Sequence, residues 1–237
     1  MSSAQALLRC TDLKKEYQMG EVTIQALRGV NLELSAGQFV VLLGPSGSGK
    51  STLLNILGGL DTASSGDIYY QDTSFRGLSP EQLTLYRRNH VGFVFQFYNL
   101  IPNLSAIENV DLVTDISEDP MPAAEALGLV GLSERKDFFP SQMSGGEQQR
   151  VAIARAIAKR PSILFCDEPT GALDLQTGKL VLKAIDQVHK ELNTLIVIIT
   201  HNSSIAGIAD RVLHFSDGRI SKEDWNSQKI SIDEVSW

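Results

Sequence analysis

Apolar positions recur along this chain in three patterns, and the patterns divide it. Residues 7–34 alternate apolar and polar, with turn signals at Met19-Gly20 and Ser35-Ala36-Gly37. Alternation predicts antiparallel strands with one wet face, at residues 22–27 and 30–34. Four short apolar runs, at residues 39–43, 91–95, 162–167 and 195–200, read instead as strands buried on both faces. Between them lie segments of helical character: residues 52–57, ended by Gly58-Gly59; residues 80–88, with Ser79 as cap and Pro80 at the first position; and residues 176–192. A turn at Ser64-Ser65-Gly66-Asp67 precedes a short strand at 68–70. A short helix at 205–209 precedes a closing hairpin, 211–215 and 219–221, around Asp217-Gly218. Residues 105–160 hold no strand candidate. They predict helices at 106–113 and 123–127, a polar break at 115–120 and another turn from Ser133, and so a helical lobe inserted into the sheet. The expectation is an α/β fold with a mainly parallel sheet, an N-terminal antiparallel β subdomain and an inserted α-helical subdomain. One domain spans 1–220, its helical part at about 98–158, and a polar tail at 221–237 has no assignable role.

The chemistry starts after the first buried run. Gly44-Pro45-Ser46-Gly47-Ser48-Gly49-Lys50-Ser51 fits G-x-x-x-x-G-K-[ST], and it stands between a strand and a helix as a phosphate-binding loop must. Its glycines let backbone N–H groups approach phosphate oxygens, and the helix start adds free donors and partial positive charge. Lys50 offers charge to the terminal phosphates and Ser51 a hydroxyl to Mg²⁺, so the sheet is the core of a P-loop NTPase. The strand at 162–167 ends in Asp167-Glu168. Asp167 is placed to hold Mg²⁺, and Glu168 to orient and deprotonate a water for in-line attack. Ser144 and Glu147 form a capping box, but the cap does not account for Gly145 and Gly146, which weaken a helix start unless its backbone approaches something closely. A capped start with exposed glycine N–H groups is a second anion site, this one without a lysine. One nucleotide reaches both sites if two chains face each other.

Composition narrows the partners. The net charge is −7 and no basic run reaches five residues, which speaks against nucleic acid. The two cysteines, Cys10 and Cys166, match no disulfide framework or metal spacing, and Cys166 reads as a small buried hydrophobe in a reducing compartment. No signal peptide is evident, and the longest apolar run, Leu195-Ile196-Val197-Ile198-Ile199, falls well short of the ~20 residues that span a bilayer. A soluble chain is expected. Phe97-Tyr98-Asn99-Leu100-Ile101-Pro102-Asn103-Leu104 is too apolar for a plain connection. Phe97, Tyr98, Leu100, Ile101 and Leu104 are candidates for a groove that takes a short helix of a partner.

Over residues 7–220 these features resemble the ATP-binding cassette family. The glycine loop resembles its Walker A, residues 162–168 its Walker B with the catalytic glutamate, and Ser144-Gly145-Gly146-Glu147-Gln148 its signature. Gln96 matches the Q-loop, Ala172-Leu173-Asp174 the D-loop, and His201 the switch histidine. Tyr17, read alone as a surface aromatic at a strand end, matches the residue on which adenine stacks. The resemblance implies ATP and Mg²⁺. It implies catalytic roles for Glu168, His201 and Gln96, and metal contacts from Ser51, Gln96 and Asp167. Nucleotide contacts fall to Tyr17, to Gly44, Pro45, Ser46, Gly47, Ser48, Gly49, Lys50, Ser51 and Thr52, and to Ser144, Gly145, Gly146 and Asp174. Met143 stands where leucine is commoner and Glu147 where glutamine is common; neither is a phosphate-ligand position.

Residues 93–104 and 167–174 resemble the branch that includes lipoprotein-release, macrolide-efflux and cell-division ATPases, with a short stretch between Val113 and Glu125. That implies an ATPase subunit at the cytoplasmic face of the inner membrane. It would pair with a second copy in a nucleotide sandwich and bind integral membrane permease subunits, with a periplasmic or extracellular adaptor reached through the permease. Export, extraction and mechanotransmission all fit. The alternative is a cassette ATPase acting on nucleic acid or the ribosome. Such proteins carry two cassettes or a long coiled coil, whereas this chain has one of each motif and no sustained heptads. A P-loop kinase or GTPase does not account for residues 144–148 or His201.

Overall fold

The computed structural model describes residues 6 to 236. The start of the domain expected at 1–220 and the last residue of the tail expected at 221–237 lie outside the described residues. The chain opens with two long strands, β1 (Ala6–Met19) and β2 (Val22–Ser35). It continues through β3 (Phe39–Leu43), α1 (Lys50–Leu57), β4 (Ser65–Tyr70), β5 (Thr73–Ser74), α2 (Pro80–His90) and β6 (Val91–Phe95). The helices α3 (Ala106–Thr114), α4 (Ala123–Leu129) and α5 (Gly145–Ile157) come next. The order closes with β7 (Ile163–Asp167), α6 (Leu175–Leu192), β8 (Leu195–Thr200), β9 (Arg211–Ser216) and β10 (Arg219–Trp225).

The strands form two sheets. One is antiparallel, in the order β2-β1-β4-β5; the other is six-stranded, in the order β10-β9-β3-β8-β7-β6. In the second, β9, β3, β8, β7 and β6 run parallel and β10 alone is antiparallel. This is the expected α/β class. The buried strands alternate across two cores. Val41, Leu164, Cys166, Ile196 and Ile198 face the helices α3 to α6. Val40, Leu42, Phe165 and Val197 face α1 and the antiparallel sheet. Burial on both faces is why these strands read as unbroken apolar runs. Both cysteines are free and buried.

The N-terminal hairpin differs from the expectation. Residues 22–27 and 30–34 are two halves of one strand, β2, whose partner along its whole length is β1, from Met19↔Val22 to Ala6↔Ser35. The break between the halves is a bulge. Gly29 sits at φ +89 against Asp12 at φ +46, and a Cβ on Gly29 would fall 2.7 Å from Asp12 Oδ1. Tyr17 therefore lies within β1, opposite Ile24.

At the other end, β10 runs through the boundary placed after Ile220. Beyond it Asn226 Nδ2 donates to the carbonyls of Ala206 and Ala209, both at 2.9 Å. Asp233 meets Lys183 at 2.7 Å, and Val235 is buried in the helix-side core. The tail is thus packed against α6. No helix among the described residues is long and apolar enough to cross a membrane.

Candidate functional site

Parallel strands end on one edge, and the register fixes which residues meet there. Phe95 pairs with Asp167, Asp167 with Ile199, and Leu43 with Thr200. Gln96, Glu168 and His201 are the next residues out, beside the glycine loop that follows β3. The loop turns into α1 at Gly49, which takes φ +105 and whose missing Cβ would fall 2.4 Å from the Ala26 carbonyl oxygen. Only glycine fits both the dihedral and the gap. No side chain caps α1, so its first N–H groups point into the open mouth. A cleft of about 720 Å³ opens there. Ser46 to Thr52 form its floor, Gln96, Asp167 and Glu168 one wall, and Ala26, Arg28, Asp217 and Gly218 the other.

Lys50 is the charged residue of the floor, and Asp167 and Glu168 face it from the wall. Lys50 is buried, and its Nζ donates to the Gly44 and Pro45 carbonyls, each at 2.8 Å. Burial lowers its pKa, and the neighbouring Glu168 and Asp167 charges partly restore it. Burial raises the Asp167 pKa; a hydrogen bond from Ser51 opposes the rise, and the Glu168 charge adds to it. Ser51 and Asp167 thus set two hard oxygens side by side. That fits Mg²⁺, which takes one or two protein ligands and leaves the rest to water and phosphate. No cluster of three or more His, Cys, Asp or Glu stands among the described residues to form an all-protein metal cage.

Glu168 leaves β7 in the left-handed region, at φ +49. For a residue with a Cβ that conformation costs energy and is held by its surroundings. Here Glu168 N donates to the Ile199 carbonyl at 2.9 Å. Its Oε2 accepts from Thr200 Oγ1 at 3.1 Å, and its Oε1 from the His201 backbone N at 3.1 Å. His201 Nδ1 stands 2.8 Å from the same Oε1. His201 itself does not line the cleft; it reaches the site through Glu168.

Tyr17 does not itself line the cleft, but its strand partner Ile24 and its neighbour Thr52 do. The Tyr17 hydroxyl donates to Asp61 Oδ2 at 2.7 Å. Lys15 Nζ lies 4.8 Å from the centre of its ring and is anchored on Asp61 Oδ1 at 2.7 Å. Burial and the Asp61 bond raise the tyrosine pKa.

Ser144, Gly145, Gly146 and Asp174 are not in the cleft. Ser144 Oγ caps α5, accepting from Glu147 N at 3.3 Å, while Glu147 Oε2 accepts from Ser144 N at 2.8 Å. Those bonds lower the Glu147 pKa. The two glycines, which the cap left unexplained, have neighbours within the chain. A Cβ on Gly146 would sit 2.0 Å from Thr177 Cγ2, and one on Gly145 2.6 Å from the Tyr98 hydroxyl. Close approach of α5 to α6 therefore accounts for Gly146, while Ser144 stays exposed. Asp174 caps α6, accepting from Gln176 N and Thr177 N.

The apolar connection after Gln96 divides. Phe97 is 74% exposed and Ile101 43%, but Leu100 packs on the helix-side core. Buried Asn109 holds the Ile101 and Leu104 carbonyls, and Arg155 donates to those of Tyr98 and Asn99. Sequence reasoning missed these two organisers, the Lys15–Asp61 pair, Thr200 and Gln149. Gln149 had a signal: it shares the inward stripe of α5 with Ile153 and Ala156, where an apolar residue is the norm.

A family described as "ABC transporter" matches residues 27–171. A putative ABC transporter ATP-binding protein of Mycoplasma pneumoniae is 42% identical over 232 residues, which cover 95% of this chain and 50% of that protein. The chain thus spans about half the length of that relative. The lipoprotein-releasing system ATP-binding protein LolD of Bordetella avium is 43% identical over 224 residues, 92% of this chain and 97% of LolD. Among solved structures, the dimeric post-hydrolysis state of the ATP-binding cassette MJ0796, bound to ADP and Pi, superposes with a TM-score of 0.83 at 39% identity. That match covers 92% of this chain and 98% of that one.

Proposed function

The chain belongs to the ABC transporter family as one of its ATP-hydrolysing cassettes, and on that premise we propose that it works as a head-to-tail pair powering a separate membrane permease. The observation that carries this reading is the separation of two phosphate sites. The cleft holds Lys50, Asp167 and Glu168 but not Ser144 or Gly145. Two chains related by a two-fold axis would place Ser144 of each over the cleft of the other, which gives two equivalent sites. The dimeric MJ0796 cassette supports the pairing.

In this arrangement Lys50 and the α1 N–H groups hold the β- and γ-phosphates. Ser51 and Asp167 would hold Mg²⁺, with Gln96 beside them, and the ion would supply charge against the phosphate oxygens. Glu168 orients a water and takes its proton as the water attacks the γ-phosphorus, giving ADP and phosphate. His201 and Thr200 keep the carboxylate aimed. Tyr17 stacks on adenine, and Asp174 shapes the dimer face. The exposed Phe97 and Ile101 offer the permease a foothold. LolD and the macrolide-export relatives support a permease of lipoprotein-releasing or macrolide-export kind. The cassette would then sit at the cytoplasmic face of the inner membrane. Any extracytoplasmic adaptor is reached only through that permease. The named relatives give the nucleic-acid or ribosome alternative no support.

Ser144→Arg tests the pairing. A signature that acts only across the dimer predicts unchanged ATP affinity for the cleft and loss of hydrolysis. Hydrolysis at the wild-type rate would rule the sandwich out.

A further inference from the structure

We infer that Gln149 is a positioning residue for hydrolysis, tying together the strand ends that carry Gln96 and Glu168 and fixing both to the helix that carries Ser144. The inference rests on the roles of Gln96 and Glu168 given above. Gln149 is fully buried in the second turn of α5. Its Nε2 donates to the Phe95 carbonyl at 3.1 Å and to the Pro169 carbonyl at 3.0 Å. Those residues immediately precede Gln96 and immediately follow Glu168. The amide has two hydrogens and each is used. Turning the amide over would set Oε1 against two carbonyl oxygens, so its orientation is fixed.

Two further facts set this contact apart from ordinary packing. The ladder between β6 and β7 ends at Phe95 opposite Asp167. Gln96 and Glu168 lie past the last rung, and Gln149 bridges the two segments there. Gln149 Oε1 is buried with no hydrogen-bond partner among the described residues. A buried orphan acceptor is costly, and an apolar side chain of the same length would avoid it. Shape alone therefore does not explain the glutamine; its two donors do. Thr200, His201 and the Ile199 carbonyl hold Glu168 from the β8 side. Gln149 holds the following residue from the α5 side. A tilt of α5, whose first residue follows Ser144, is thereby transmitted to Gln96 and Glu168 at once.

The test compares wild type, Gln149→Met, Gln149→Asn and Glu168→Gln as full chains, by steady-state ATPase kinetics and nucleotide titration. Methionine keeps the length and removes both donors; asparagine keeps the amide but is too short to reach both carbonyls. For Gln149→Met we expect kcat to fall on the order of tenfold to a hundredfold, as for a small misplacement of reacting groups. KM for ATP should stay within about twofold, because the floor of the cleft is untouched. Gln149→Asn should fall between it and wild type. A role in packing alone would lower the melting temperature and leave kcat per folded protein unchanged. Either folded variant at the wild-type kcat overturns the proposal, as does failure of both to fold, which would assign Gln149 to the core. Full hydrolysis by Glu168→Gln would overturn the reading of Glu168 on which the proposal rests. An inactive Glu168→Gln beside an unaffected Gln149→Met would overturn the Gln149 role alone.

Discussion

His201 Nδ1 lies 2.8 Å from Glu168 Oε1, and the His201 backbone N–H meets the same oxygen at 3.1 Å. A strand end and its own side chain thus grip one carboxylate oxygen. The other is held by Thr200 Oγ1 at 3.1 Å. In the role proposed for Glu168, a base gripped on both oxygens would be aimed before the water arrives, and aim is most of what a phosphoryl-transfer site supplies. His201→Ala removes one grip and no phosphate ligand. Hydrolysis should fall by about 10²-fold or more while ATP affinity holds. Single-turnover hydrolysis beside equilibrium nucleotide binding checks this; equal losses in both would place His201 in binding.

Tyr17 presents one face of its ring to Lys15, and the proposed adenine stacking would use the other. Its hydroxyl is not idle, because it donates to Asp61. Tyr17→Ala should weaken ATP binding by the roughly 1–3 kcal/mol that a stacked base contributes. Tyr17→Phe keeps the face and loses one hydrogen bond, a cost of about 1 kcal/mol. The order Tyr, Phe, Ala in a nucleotide titration is the expected result. Identical affinities across the three would remove Tyr17 from the site.

Phe97 and Ile101 are the exposed members of the apolar segment after Gln96, whereas Leu100 belongs to the core. Asp at 97 and 101 together should release the permease and leave the melting temperature of the isolated chain within a few degrees of wild type. Asp at Leu100 should instead unfold the helical lobe. Co-purification from detergent-solubilised membranes, paired with thermal melts, separates the two effects. Retention of the permease by the Phe97→Asp, Ile101→Asp double variant would move the docking surface elsewhere.

What the sequence made legible was local. Ser79 with Gln82 and Ser144 with Glu147 cap their helices as their spacing predicts, because a capping box involves residues three apart. Buried runs such as Leu195-Ile196-Val197-Ile198-Ile199 read as strands because both faces are covered. The failures needed a partner far along the chain. Residues 28–29 read as a break between two strands until the bulge against Asp12 is seen. That Gly146 lets α5 approach α6 is invisible until Thr177, on that other helix, is seen where the missing Cβ would fall. Gln149 stands out as polar on the inward stripe of α5, but what it holds is not legible until the carbonyls of Phe95 and Pro169 arrive beside it.

Lys159 gives the structure a pH signature. Burial, with the Arg87 charge beside it, pushes its pKa down to about 8 from an ordinary 10.5. Its Nζ donates to the Arg87 carbonyl at 2.6 Å. The folded state therefore releases this proton more readily than the unfolded state does. Between about pH 8 and 10.5 the unfolded chain holds more protons, so this group's contribution to stability rises with pH across that window. Lys159→Met removes the effect. The variant's stability relative to wild type should be highest below about pH 8 and decline toward pH 10.5. Urea midpoints at the two ends give the difference; a constant gap would mean the lysine is not held uncharged by folding.

The last prediction joins the base to the dimer. On the pairing proposed above, the cleft and the Ser144 helix start would hold one nucleotide between two chains. ATP would then stabilise the closed pair by its differential affinity for that state, and loss of the γ-phosphate would remove the bridge. Glu168→Gln keeps the size and much of the hydrogen bonding of Glu168, so Thr200 and His201 can still hold the side chain, but an amide takes no proton from water. It should bind MgATP normally, hydrolyse it at least ~100-fold more slowly and accumulate as a closed dimer. Lys50→Ala removes charge from the floor and should fail to close. Size exclusion with light scattering, with MgATP and without nucleotide, reads the pair directly, and the permease complex serves where the isolated chains pair too weakly. Glu168→Gln cassettes that stay equally far apart with and without MgATP, in that complex as well as alone, would show that closure is not what ATP does here. In that case the exposed Ser144 helix start would need another anion.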